Sequence, residues 1–317
     1  MPPYRILSID GGGIRGVIPV TALQWLSAVP DLGPWLDRVD LLAGTSTGGI
    51  IALALAAGKP LTDLHDLYHH RGDAIFRGHN TPWKTGLRRV VRAAYSNRPL
   101  LAEMERLFGD LTLGDLNKRV AVCAFQLARG HEGWNAKIFH NYPGVGNDAS
   151  ERVVDVALAT SAGPTYLPTW HGYVDGGVFA NNPSMVALAQ ALDHRNEEGT
   201  RQRLQDLVML SLGTGVRHPS VEGQSHDWGV PQWLPRLFTA TVDGSSSVTQ
   251  FQCRHLLGDD FHRFQIALPP PDHYALDSVH LVGKMVALTE AALERDVGGL
   301  LPWMREIWQG QRLAAPW

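Results

Sequence analysis

With 317 residues, 44% of them hydrophobic and 19% charged, the chain is long enough to bury a large core and too apolar to remain disordered. Its 28 Lys and Arg against 31 Asp and Glu leave a net charge of -3, which excludes a general electrostatic footprint for a nucleic acid polymer. Two isolated cysteines, Cys123 and Cys253, exclude a disulfide framework and a cysteine-built zinc site, and the opening residues lack a signal-peptide pattern, so a reducing, cytoplasmic setting is expected.

In chain order, the apolar run Arg5 to Ile9 predicts a strand that ends in Asp10 and three glycines, and Val17 to Val29 carries apolar residues at helical spacing up to Pro30. Val39 to Ala43 predicts a second strand, leading through Gly44 to Gly49 into a helix over Ile50 to Ala57 that Gly58 closes. The uncharged stretch from Leu41 to Gly58 approaches membrane-span length, but its Gly, Ser and Thr content makes it a buried strand, turn and helix instead. His69 to Arg98 is locally basic, with seven Lys or Arg and one acid, Asp73. Further on, Leu101 to Phe108 reads as a helix, Val120 to Leu127 and Ala136 to His140 as strands, and Val153 to Ala162 as a buried helix. Tyr173-Val174 leads into Asp175-Gly176-Gly177, Pro183 to Leu192 is a helix, Leu207 to Leu212 a strand, and Ser278 to Leu293 a last helix; Gly215 to Gly229 is polar and loop-like. Alternating strands and helices predict an α/β fold with a mainly parallel sheet, as one domain spanning residues 1–317.

Three motifs carry chemistry. Gly44-Thr45-Ser46-Thr47-Gly48 has the Gly-x-Ser-x-Gly form of a nucleophile elbow, in which Gly44 and Gly48 permit a strained strand-to-helix turn that lifts Ser46 out of the fold. The following helix start would set free N–H groups beside it. Asp10 to Gly16, Asp-Gly-Gly-Gly-Ile-Arg-Gly, offers unobstructed backbone amides for an oxyanion or a phosphate. It also fits Gly-x-Gly-x-x-Gly, but Arg15 inside the loop and the turn at Pro30-Asp31 argue against a dinucleotide site. Asp175 before two glycines would, alone, be an ordinary turn.

Together, in this order, the three motifs resemble the patatin-like phospholipases. The resemblance extends to Tyr95–Leu100, Ala159–Tyr166, Asn181-Asn182-Pro183 and Ser211–Gly215; it is clearest in residues 1–215, with a fainter echo at Phe261 to Gln265. It implies a three-layer α/β/α sandwich and a serine lipid acyl hydrolase of phospholipase A type, working through a Ser46–Asp175 dyad. The oxyanion hole would come from Gly11, Gly12 and Gly13 with help from Arg15, and no cofactor or metal is needed. Asp10 is expected to be structural, with Arg15 as one candidate partner for it.

The same resemblance implies a phospholipid membrane surface as partner, met peripherally at the inner membrane. Because bacterial members sharing this opening are antiphage effectors switched on by a cyclic nucleotide, it also implies a cyclic nucleotide activator as an expectation to test. Trp83 to Arg92 has the aromatic and cationic mix of an interfacial helix. The apolar run Trp228 to Phe238 suits an acyl-chain lid, a contact in a homo-oligomer or ordinary core. Two other readings stay open: an α/β-hydrolase triad using His255, His262, His273 or His280, although Ser46 comes too early in the chain for that fold, and a non-enzymatic nucleotide-binding protein.

Overall fold

The structure, a computed structural model, describes residues 2–76, 93–127, 133–144, 146–197, 200–217, 227–296 and 298–310. Seven strands, β1 (Tyr4–Ile9), β2 (Leu41–Thr45), β3 (Arg119–Gln126), β4 (Asn135–His140), β5 (Tyr173–Asp175), β6 (Leu207–Leu212) and β7 (Phe261–Phe264), form one sheet. The order is β4-β3-β2-β1-β6-β7, with β5 also on β3. β1, β2, β3, β6 and β7 run parallel, whereas β4 and β5 are antiparallel to β3. The predicted mainly parallel α/β sheet is therefore observed, closed at one side by reversed strands.

Side chains two apart share a face of a strand, and here both faces are covered. Leu7, Ile9, Leu42, Val120, Val122, Leu210 and Leu212 point into a core shared with α1 (Val17–Ser27), α2 (Thr47–Ala56), α3 (Leu61–His69) and the helices Arg98–Phe108, Val153–Ser161 and Val282–Glu294. Ile6, Leu41, Ala43, Ala121, Leu207 and Met209 point the other way, onto the helices Ser184–Leu192 and Val230–Leu257. This is the three-layer arrangement, and it explains why the strands read as continuous apolar runs. β7 joins the sheet from the last third of the chain, so residues beyond 215 complete the same sheet.

One long element departs from expectation. Val230–Leu257 is a 28-residue helix in a stretch where the sequence predicted no helix. Pro235, Gly244 and the run Ser245-Ser246-Ser247 have poor helix propensity. The helix is held instead by packing, with Cys253 and Leu257 buried in the second core. Trp233, Leu237, Val248 and Phe251 remain exposed, and their spacing of 4, 11 and 3 residues keeps them on one side of the helix. Trp228, at the start of the predicted run to Phe238, packs edge-on against Trp233, and all of Trp83 to Arg92 lies outside the described residues.

At the end of β1, Asp10 meets Arg263 of β7 rather than Arg15. Arg263 Nη1 and Nη2 donate to the two carboxylate oxygens at 2.9 and 2.5 Å, Nη1 also donates to Ser211 Oγ at 2.8 Å, and both side chains are at most 4% exposed. Burial pushes the Asp10 carboxyl up while the guanidinium pulls it down. Removing one member leaves an uncompensated buried charge, so Arg263→Met should cost roughly 3–5 kcal/mol in urea denaturation. The double variant Asp10→Leu/Arg263→Met should be more stable than Arg263→Met alone.

Candidate active site

β2 ends at Thr45 and α2 begins at Thr47, leaving Ser46 alone at the corner with φ 55° and ψ -125°. That conformation is rare for a residue with a side chain and costs on the order of 1–3 kcal/mol, so the surroundings must impose it. They do so through Thr160, whose Oγ1 accepts the Ser46 N–H at 2.8 Å and donates to the Cys123 carbonyl at 2.6 Å. Thr45 Oγ1 donates to the Ala180 carbonyl at 2.6 Å. Only glycine fits on either side: a Cβ on Gly44 would strike the Gly48 carbonyl, and one on Gly48 the carbonyls of Ile9 and Asp10. The turn thus works as the sequence predicted, except that the helix starts at once rather than at Ile50.

Asp175 reaches Ser46 because β2 and β5 share one edge of β3. β2 pairs along that edge as far as Thr45 opposite Cys123, and β5 takes it over at the next residue, with Asp175 opposite Ala124. The first residue beyond β2 and the last residue of β5 therefore meet. Ser46 and Asp175 line one cavity side by side, the Ser46 hydroxyl close enough to favour the ionised carboxylate, and Asp175 Oδ1 accepts the Gly177 N–H at 2.7 Å. Gly176 must be glycine because a Cβ there would overlap the Cys123 carbonyl. Asp175 is 7% exposed. Burial raises its pKa to about 6, against the pull of the Ser46 hydroxyl and the Gly177 amide.

The glycine loop lies over the same corner, and a Cβ on Gly11 would stand 3.3 Å from that of Ser46. Its three amides are not equivalent. Gly11 N–H is spent on the Asn181 carbonyl at 3.0 Å, and Thr214 Oγ1 donates to the Gly11 carbonyl at 2.6 Å. Gly12 and Gly13 N–H have no acceptor among the described residues, so two free donors remain where three were expected. Arg15 turns away from the serine: its Nε and Nη1 donate to the carbonyls of Gly12 and Gly215 at 3.4 and 3.3 Å. It braces the loop from behind.

Ser46, Asp175 and Gly13 open on a cavity of about 650 Å3. Ile14, Ile50, Leu67, Ile75, Leu100 and Leu167 make its wall largely apolar, and Tyr68 hydrogen-bonds to Thr47 at its floor. None of His255, His262, His273 and His280 lines it. His262 instead stacks near Trp303, where burial holds its pKa down at about 4. The histidine triad has no structural support. Thr160, Asn181 and Thr214 were not predicted as site residues, although each sits in a stretch that carries the family resemblance.

A serine on a strained strand-to-helix elbow, a buried carboxylate beside it, a neighbouring glycine loop with unused amides and an apolar cavity are the equipment of a serine hydrolase for greasy acyl groups. The family model for patatin-like phospholipases matches residues 7–188, and the chain belongs to that family. It is 32% identical over 291 residues to a cGAMP-activated phospholipase of Pseudomonas aeruginosa, covering 89% of this chain and 84% of that one. It is likewise 32% identical to a cGAMP-activated phospholipase of Vibrio cholerae, with 66% and 64% covered, and to patatin-like protein 1 of rice, with 72% and 63% covered. Among the described residues no helix is long and apolar enough to cross a membrane.

Thr160→Val keeps shape but removes the acceptor for Ser46 N–H and the donor to Cys123. It should lower kcat on the order of 10²-fold with little change in KM, and lower stability by about 1–3 kcal/mol; steady-state kinetics and thermal melts check both.

Proposed function

We propose that Ser46 and Asp175 form the catalytic dyad of a phospholipid acyl hydrolase that a cyclic nucleotide switches on. The observation that carries the dyad is the placement of Ser46 beside a buried carboxylate where β2 and β5 meet on β3, at an apolar cavity that both residues line. As Ser46 Oγ attacks an ester carbonyl carbon, its proton passes to Asp175, and the Gly12 and Gly13 amides take the developing oxyanion. Collapse breaks the ester bond, and the departing alcohol oxygen leaves with the proton from Asp175. Water then repeats the sequence on the acyl-enzyme and frees the fatty acid. A carboxylate at the ordinary pKa of an aspartate would be a feeble base; one raised to about 6 is still ionised at neutral pH and far better matched to the task.

Activation by a cyclic nucleotide is supported by the relatives named as cGAMP-activated phospholipases. We assign the lipid surface to the exposed side of helix Val230–Leu257, because a hydrolase with an acyl-shaped cavity must meet a bilayer and Trp233, Leu237 and Phe251 offer it apolar contact.

Ser46→Ala and Asp175→Asn should each lower fatty-acid release from vesicles by about 10⁴-fold. In the wild type, kcat/KM should fall as pH drops through about 6. Asp175→Asn should also be the more stable protein at neutral pH. The folded-state pKa lies above the unfolded one, so between pH 4 and 6 the wild type loses stability as pH rises. The advantage of Asn, up to about 3 kcal/mol, should be absent near pH 3 and complete above pH 7. Leu237→Glu/Phe251→Glu should reduce hydrolysis of vesicle phospholipid while sparing a soluble short-chain ester; equal loss on both would assign that face to folding instead.

A further inference from the structure

The glycine loop has a second face. Behind it a cavity of about 690 Å3 opens at the C-terminal ends of β1, β6 and β7, across from helix Val230–Leu257. The chain builds the sheet outward from β1 to β2 and β3, then resumes on the other side with β6 and β7, so the β1–β6 crevice is its topological switch point. Open α/β sheets bind ligands there. Unlike the acyl cavity, this one is walled by polar groups: Arg15, Asn181 and Thr214 on the loop side, and Asp243, Ser246 and Gln250 on the helix.

Its donors are incompletely used. Arg15 gives Nε and Nη1 to long hydrogen bonds on two carbonyls, and its Nη2 has no acceptor among the described residues. Burial first, then the charge of Arg217, holds the Arg15 pKa down, to about 10, against the pull of Asp243 and Asp10. In the same wall the buried Nε of Arg263 has no partner among the described residues. Arg15 and Arg263 thus each keep an N–H unused in the lining of one cavity, and such planar forks favour phosphate oxygens. The hydroxyl and amide groups of Ser246, Ser247, Thr214 and Gln250 suit a ribose or a base edge.

We propose that this cavity is the effector site, binding a phosphodiester nucleotide whose occupancy is passed to the oxyanion loop through Arg15, Thr214 and Asn181. The inference rests on the reading that a cyclic nucleotide activates the enzyme. The coupling is direct: these three wall residues hold the Gly12 carbonyl, the Gly11 carbonyl and the Gly11 N–H respectively. A ligand that prefers one arrangement of the wall therefore selects one arrangement of the loop that packs against Ser46 through Gly11.

The test uses the full chain, cGAMP as probe in equilibrium dialysis, fatty-acid release from phosphatidylglycerol vesicles, and hydrolysis of a soluble short-chain ester. Gln250→Leu and Ser247→Trp alter the helix wall without touching the loop. Wild type and Ser46→Ala should bind cGAMP equally. The two wall variants should bind it roughly tenfold or more weakly and lose activation to match, while keeping wild-type hydrolysis of the soluble ester. If wild type is activated and both wall variants are activated equally well, the effector site lies elsewhere and the inference falls, but nucleotide activation stands. If cGAMP neither binds to nor activates the wild type, both fall, and Ser46-dependent ester hydrolysis decides the phospholipase reading separately.

Discussion

Everything at the active site depends on one edge of β3. That strand is eight residues long, and β2 covers only the first five of them, ending where the chain must turn into α2. The last three residues need a hydrogen-bonding partner, and β5 supplies it from the opposite direction. Two strands far apart in sequence thus abut end to end, and the residues at the junction are Ser46 and Asp175. The proposed dyad is a consequence of filling a ladder, and the placement of its two residues is as rigid as the sheet.

The cost of that geometry is spread through the neighbourhood. Ser46 sits in a strained conformation and Asp175 is a carboxylate without a cation, both unfavourable if taken alone. The Thr160 bridge from Ser46 to Cys123, the glycines at 44, 48 and 176, and the paired hydrogen bonds of Arg263 to Asp10 over-determine the corner so that neither residue can relax. In the proposed roles, the strain presents Ser46 as nucleophile, and the burial that disfavours the ionised aspartate is what would make it a usable base.

The glycine loop separates two environments. Toward α2 and α3 the space is apolar; toward Val230–Leu257 it is polar, with Arg15 and Arg263 set among Asp10 and Asp243. The loop itself has little freedom, since Gly11 is held at both its N–H and its carbonyl, and Gly13 adopts φ 58° against the Leu276 carbonyl. A site on one face of such a loop is mechanically connected to a site on the other.

Much of this was legible in the chain itself. Strands buried on both faces are apolar throughout, so β1, β2, β3 and β6 stand out, and the elbow, the glycine loop and Asp175-Gly176-Gly177 mark themselves because steric crowding leaves glycine as the only tenant. Helix Val230–Leu257 was illegible because its residues have little helical preference of their own, and its packing partners lie far away in sequence. Local pattern could nominate Ser46 and Asp175 but not join them. That junction, the pairing of Asp10 with Arg263 instead of Arg15, the loss of the Gly11 amide to Asn181 and the elevation of the Asp175 pKa all arise from contacts between distant segments, 253 residues apart for Asp10 and Arg263. Residue types determined which chemistry was available; only tertiary burial and strand pairing decided which atoms meet and at what pKa, because desolvation and hydrogen-bond competition exist only once distant segments pack.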